Sequence, residues 1–377
     1  MLELEQASRD PAVAGGVVAA ALERLRDGRE IVLLSSLHDD SRAALVVAAD
    51  SVDEAALQNL TRAGTGMIGL CLSDERGETL GLTATRAEAR PDDVLVRMTT
   101  TISHRDAPAV GSYAHRSLTI RRAAEPSAGP EEFVSPGLIT PFRARPGGVI
   151  EERGYPEAAV DLVSMAGLSP GAVQTFATDS QDRYYLGATG LELARRLGAP
   201  AVTIDDIVDY RWRTETLLER AAAAFLPTSF GDFDVVAYRE RVGRAMHVAL
   251  VRGVPAGRSS VLFGLHRRCL GGDVFRATSC VCQARLTAAV ETIEEEGLGV
   301  VLYWMSESDR GASWECARAQ PQPLTVAEAR LSRQVLADLG VKSVRLMEEP
   351  KNLNEAIDLA RSHGVPVAER FALVAGP

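Results

Sequence analysis

The chain has 377 residues, 46% hydrophobic and 24% charged, with a formal net charge of −10 and a pI near 5.3. That size suits two domains with proper cores and excludes a disordered chain. The acidic balance argues against a general nucleic-acid binder, which carries a basic stripe, but leaves room for a local phosphate pocket.

The N-terminal MLELEQASRD is acidic and lacks a signal-peptide core. No apolar run reaches 18 residues, so no membrane-spanning helix is expected. The first predicted element is a helix. Asp10 and Pro11 give its start signal, and Val13, Val17, Ala21, Leu22 and Leu25 recur at helical spacing before Gly28. Ile31 to Leu34 follows as a buried strand. Helical and strand patterns then alternate to about Tyr210, an α/β pattern. Arg211 to Ala224 is charged, then alanine-rich, and predicts an exposed connecting helix. LPTSFGDFDVVAYRE predicts a strand pair with Phe230, Phe233, Val235 and Tyr238 as its apolar positions. The domain boundary is expected in this region, giving domains 1–213 and 214–377 of mixed α/β and α+β class.

In the second half, Leu286 to Glu296 has helical spacing and ends at Gly297. Val300 to Trp304 and Val344 to Met347 are strand runs. Thr325 and Glu328 form a capping-box signature for a helix running to Gly340, and Asn352 and Glu355 open a last helix that closes near Gly364.

Five cysteines in a chain of this length do not make a disulfide scaffold. Three of them, Cys269, Cys280 and Cys282, form a C-x10-C-x-C pattern. Thiolates bind zinc well, and three of them leave one tetrahedral position for water. The plainer alternative is small buried cysteines, and Cys71 and Cys316 are of that ordinary kind. A cytoplasmic protein with a metal or thiol cluster is expected.

SPGLITPFRARPGGVIEERGYPEAAVDLVSMAGLSPGAV and TIDDIVDYR resemble dihydroxybutanone-phosphate synthase, across roughly residues 14 to 213. That resemblance implies magnesium, an acidic loop and a histidine, acting on ribulose 5-phosphate. The loop here is SSLHDDSRAAL: Asp40 falls where a metal-binding Glu would be, while Arg42 and Ala44 stand where other acids belong. Tyr155 replaces the metal-binding His, Phe176 a catalytic Glu and Leu138 another His. A phenol with a pKa of about 10 is a poor magnesium ligand at neutral pH. A solvated turn is the plainer role for Asp39 and Asp40. Gly147, Gly148, Glu157 and Asp161 are expected to serve the fold, and Tyr155, Leu138 and Phe176 to reline the cavity.

Over about residues 226 to 377, His266, Cys269, Gly272, Asp273, Cys280, Cys282 and Leu286, with HVALVRG, GVVLYW and LADLGVKSVRL, are similar to GTP cyclohydrolase II. The resemblance implies zinc on the three cysteines. It also shows losses. Arg267 and Arg268 replace the motif's Ser and Glu, Gly264 replaces a phosphate-binding Arg, and Arg285 stands where a Gln contacts GTP. Ser279, Val281 and Gln283 replace the usual Arg, Asp and Gly. The segment between Trp314 and Pro323 is shortened, and the catalytic Asp and Arg fall on Thr325 and Ala327. The nucleotide loop is MEEPKN, with Glu348 and Glu349 set to repel a triphosphate. His266, Arg267, Arg268, Arg285 and Arg310 are the candidate polar frame for a substrate, with a solvated or ion-paired surface as the alternative for the arginines.

Two functions remain open. One is a repurposed zinc hydrolase or lyase acting on a phosphorylated or nucleotide-like small molecule. The other is a non-catalytic paralogue that regulates riboflavin synthesis. A working bifunctional riboflavin enzyme is disfavoured by the number of empty roles. The resemblance also implies a homodimer through the first domain.

Overall fold

A computed structural model of the chain describes residues 11–38, 40–83, 97–106, 111–242, 245–278, 280–305, 324–348 and 352–373. The chain divides into two compact units, 1–211 and 212–377. Among the described residues no helix is long and apolar enough to cross a membrane.

The first unit is built on a mixed seven-stranded sheet. Its elements are α1 (Pro11–Arg26), β1 (Ile31–Leu34), β2 (Ala44–Ala48), α2 (Glu54–Ala63), β3 (Gly69–Leu72), α3 (Asp74–Thr79), β4 (Ile102–His104), α4 (Tyr113–Ala124), β5 (Phe133–Arg143), α5 (Tyr155–Met165), β6 (Gly171–Phe176), α6 (Gly187–Leu197), β7 (Ala201–Thr203) and α7 (Ile204–Thr214). The strand order is β4-β5-β3-β6-β2-β1-β7. Both β1 and β2 are unbroken apolar runs, and every residue in them is buried. Such runs belong to strands covered on both faces. The expected first helix is present, with Val18, Ala21, Leu22 and Leu25 in the core, while Asp10 lies outside the described residues. Gly148 sits at φ +59°, and a Cβ there would lie 2.1 Å from Asp161 Oδ1. Asp161 in turn accepts the Val149 amide at 2.9 Å and Arg211 Nη1 at 2.8 Å. These residues hold the turn that precedes α5.

The second unit contains β8 (Leu218–Thr228), β9 (Gly231–Glu240), β10 (Met246–Arg252), β11 (Val261–Arg267), a π-helical turn (Leu270–Val274), α8 (Cys282–Glu296), β12 (Gly299–Trp304), α9 (Val326–Asp338), β13 (Val344–Glu348), α10 (Leu353–Ser362) and β14 (Val367–Ala372). The sheet order is β14-β13-β11-β12-β10-β9-β8. The segment from β11 to β14 is parallel, and β12, β10, β9 and β8 are joined antiparallel. Successive side chains serve opposite cores, as a strand's two-residue period requires. Leu262 and Val301 pack with Ala289, Val290 and Ile293 of α8. Phe263, Val300 and Leu302 pack on the other face with Leu331 and Val335 of α9 and Ile357 of α10.

The connecting helix expected over Arg211 to Ala224 ends at Thr214, and Ala221 to Ala224 lie in β8. Alanine's helix preference amounts to only a few tenths of a kcal/mol per residue. The β9 ladder, running from Leu218 opposite Glu240 to Thr228 opposite Gly231, outweighs it. Val235, expected as a core residue of β9, is half-buried, and Val236 is the buried position. Phe230 lies in the turn, exposed.

Candidate metal centre and the altered first-domain loop

Parallel strands β11, β12 and β13 end together, and ligand sites in α/β sheets form at such carboxyl ends. Just beyond β11 lies Cys269, which begins the π-helical turn, and the chain returns to it through Cys280 and through Cys282 at the start of α8. The three sulfurs lie within 4.8 Å of one another, and Cys269 Sγ and Cys280 Sγ are 3.8 Å apart. A disulfide would need about 2.05 Å. Tetrahedral zinc with bonds of about 2.3 Å would hold two sulfurs roughly 3.8 Å apart, so the donor set and its spacing fit that ion. Cys269 is buried, and Cys280 and Cys282 are half-buried. Gly272 is required here by space, since a Cβ would lie 2.8 Å from Cys280 Sγ and 3.3 Å from Cys269 Sγ.

Asp273 fixes this turn. Its Oδ2 accepts the Cys269 amide at 2.8 Å and the Tyr303 hydroxyl at 2.6 Å, and its Oδ1 accepts His266 Nε2 at 2.9 Å. His266 and Tyr303 are paired in register across β11 and β12, with stacked rings 5.4 Å apart. Burial pushes the Asp273 carboxyl up, but the hydrogen bonds and the His266 charge outweigh it and hold the group below its ordinary range. The Tyr303 phenol is raised by burial and by Asp273.

The candidate arginines do not form one frame. Arg267 faces away from His266 and pairs through both Nε and Nη2 with Glu328 of α9, the Nη2 contact being 2.6 Å. Glu328 is 2% exposed and also accepts the Thr325 amide and hydroxyl, each at 2.7 Å. Thr325 is therefore a helix cap, as its spacing predicts. Arg285 of α8 pairs with Glu348 at 2.9 Å. Glu348 is thus partly neutralised and does not stand as the unopposed negative charge expected from the sequence. The Arg268 amide donates to the Trp304 carbonyl at 2.9 Å, so strand alternation returns this residue to the His266 side. Arg310, Ser279 and Glu349 lie outside the described residues, as does the segment 306–323.

In the first unit, Tyr155 at the start of α5 accepts the Ser35 amide at 3.2 Å and donates to the Arg42 carbonyl at 2.5 Å. Ser41 Oγ accepts the Ser36 amide at 3.0 Å. The loop is therefore held by neutral hydrogen bonds. Phe176 meets Tyr155 edge-on at 5.1 Å and Tyr184 at 6.4 Å, and the Arg42 guanidinium lies 4.7 Å from the Tyr184 ring centre. Ala44 faces Phe176 in the sheet register. Asp40 is exposed, Asp39 lies outside the described residues, and Leu138 is 42% exposed on β5. Glu157 is buried and accepts the Arg145 amide at 2.9 Å; burial pushes its carboxyl up to about 7.

Sequence reasoning missed Tyr303 as part of the site and Glu328 as the partner of Arg267. Tyr303 sits inside an apolar strand run, and only the β11–β12 register shows its place opposite His266. Glu328 was legible as a capping residue but gave no sign of its arginine partner 61 positions away.

Residues 19–210 match the family model described as 3,4-dihydroxy-2-butanone 4-phosphate synthase, and residues 219–372 match GTP cyclohydrolase II. The riboflavin biosynthesis protein RibBA of Aquifex aeolicus (strain VF5) is 32% identical, covering 96% of this chain and 93% of that protein. RibBA of Bacillus subtilis (strain 168) is 32% identical over 94% of this chain and 93% of its own. A monofunctional riboflavin biosynthesis protein, RIBA 3, chloroplastic, of Arabidopsis thaliana is 29% identical over 88% of this chain and 69% of its own. Among solved structures, RibBX, a two-domain 3,4-dihydroxy-2-butanone 4-phosphate synthase from A. baumannii, has a TM-score of 0.72 at 24% identity, covering 94% of this chain and 99% of that one. That likeness is one of fold.

Proposed function

The chain belongs to the riboflavin-biosynthesis family that joins a 3,4-dihydroxy-2-butanone 4-phosphate synthase domain to a GTP cyclohydrolase II domain, and we propose that within it this chain is a zinc protein that performs neither parental reaction and acts instead on a small phosphorylated or nucleotide-like molecule. The observation that carries this reading is the sulfur triangle of Cys269, Cys280 and Cys282, with Asp273 anchored beneath it, in a chain where resemblance puts other residue types at most of the remaining reaction positions. When bound, zinc on three thiolates keeps one coordination position open and brings the pKa of a water there towards neutrality. Asp273 orients His266 and Tyr303 beside the thiolates, giving the site a fixed polar wall.

The losses support the rest. Tyr155 and Phe176, which stand edge-on to one another, fall by resemblance where the first reaction needs a metal ligand and an acid. Thr325, where resemblance puts the Asp of the second reaction, caps a helix. The Arabidopsis relative, called monofunctional, shows that relatives of this chain need not carry both activities. A second reading, a non-catalytic regulator of riboflavin synthesis, is favoured by the pairs Arg267–Glu328 and Arg285–Glu348, which turn cations of the second domain onto internal carboxylates. The same family reading extends to a homodimer through the first domain, which light scattering at micromolar concentration tests.

Elemental analysis of protein purified without added metal tests the zinc assignment. About one zinc per chain is expected, falling in a Cys280→Ser, Cys282→Ser double variant. Absence of zinc, or zinc unaffected by that change, contradicts it.

A further inference from the structure

Arg267 and Arg268 are adjacent in sequence but separate in role. His266 and Arg267 lie opposite Tyr303 and Trp304 of β12, and the Arg268 amide continues the ladder by donating to the Trp304 carbonyl at 2.9 Å. The two-residue period of an extended chain then returns Arg268 to the side of His266 and Tyr303, one residue before Cys269. Its charge is close enough to the Tyr303 phenol to offset part of that group's rise. Arg267 turns to the opposite side and is consumed by Glu328, and Arg285 is held by Glu348. Arg268 has no ion pair among the described residues, and its Nε is buried with no hydrogen-bond partner. A buried donor without an acceptor is costly, and most so when it belongs to a charged group.

We propose that Arg268 is the anion-recognition residue of the metal centre, and that the site takes a molecule ending in a single phosphate monoester and does not take a polyphosphate. This rests on the reading of the second domain as a small-molecule site. A guanidinium fork matches one phosphate group in two parallel hydrogen bonds. A triphosphate is held best by several cations, and two other candidates here, Arg267 and Arg285, pair with carboxylates. The family motif has Glu at this position, so the cation is a feature of this chain and not of the inherited nucleotide site.

The test is calorimetric titration of the zinc-loaded full chain with inorganic phosphate, GMP and GTP, with zinc content measured on the same samples. Inorganic phosphate and GMP are expected to bind, with GTP no tighter than GMP. Arg268→Gln should weaken phosphate at least tenfold with zinc content unchanged, and Arg268→Lys should recover part of the loss. Phosphate affinity unchanged in Arg268→Gln, with GTP at least tenfold tighter than GMP, overturns the proposal. So does loss of zinc in both variants, which would make Arg268 a counter-charge for the thiolates. Should the wild-type chain hold no zinc while its phosphate binding still depends on Arg268, the zinc assignment fails and the anion site stands.

Discussion

The Tyr155 hydroxyl bridges the Ser35 amide and the Arg42 carbonyl, tying the start of α5 to both ends of the loop that leads from β1 to β2. A neutral phenol here joins segments that resemblance would have joined through magnesium. Tyr155→Phe removes both bonds and should cost about 1–3 kcal/mol, since the loop amide and carbonyl lose a fixed partner. Denaturant melts and amide exchange at Ser35 check this. Added magnesium should leave the wild-type melting temperature unchanged, and no formate should form from ribulose 5-phosphate. Magnesium-dependent stabilisation, or formate release at the rate of an ordinary synthase, contradicts this account of the loop.

Glu157 supplies a pH signature. Its carboxyl ionises near 7 in the folded chain, raised by burial from an ordinary value of 4.5. The unfolded chain releases that proton first. Stability from this group is therefore complete below about pH 4.5 and is lost as pH rises to about 7, by at most roughly 3 kcal/mol. Glu157→Gln keeps an acceptor for the Arg145 amide and should flatten this part of the stability profile, with its largest relative gain above pH 7. Equal slopes for both proteins between pH 4.5 and 7 would show that Glu157 is not held protonated.

Glu328 serves two partners from a buried position. Glu328→Ala removes the carboxylate partner of Arg267 and the reciprocal half of the Thr325 cap, at a cost of about 1.5–3 kcal/mol. Glu328→Gln keeps the cap's acceptor and should cost less. A loss under 1 kcal/mol in Glu328→Ala would mean that the pair is a loose surface contact.

Local signals carried well into the structure and distant ones did not. Thr325 and Glu328 are three residues apart, so the cap is written in the sequence. The apolar run Ile31 to Leu34 likewise had only one way to be buried. The strand containing Ala221 to Ala224 depends on β9 for its partner, which local composition does not reveal. Grouping Arg267 with His266 treated sequence neighbours as spatial ones, whereas β11 sends alternate residues to opposite faces. The Arg285–Glu348 pair spans 63 positions, so the negative charge of MEEPKN looked unopposed from sequence alone. The grouping of the three cysteines was legible because the turn that gathers their sulfurs is itself local, but Tyr303 enters only through the β12 register.

If the second domain keeps its three thiolates but not GTP chemistry, as proposed, the zinc-replete protein leaves GTP intact. Gly264, Ala327 and Asn352 occupy three places where resemblance requires nucleotide contacts, and Arg267 and Arg285 are held by carboxylates. Each missing charge-assisted contact is worth about 1.5–3 kcal/mol, so affinity should fall by orders of magnitude. The measurement is formate release from GTP by zinc-replete protein, with pyrophosphate followed in the same reaction. Neither product is expected above background, whereas formate and pyrophosphate released together at the rate of an ordinary GTP cyclohydrolase II would show that the second domain retains its family's reaction.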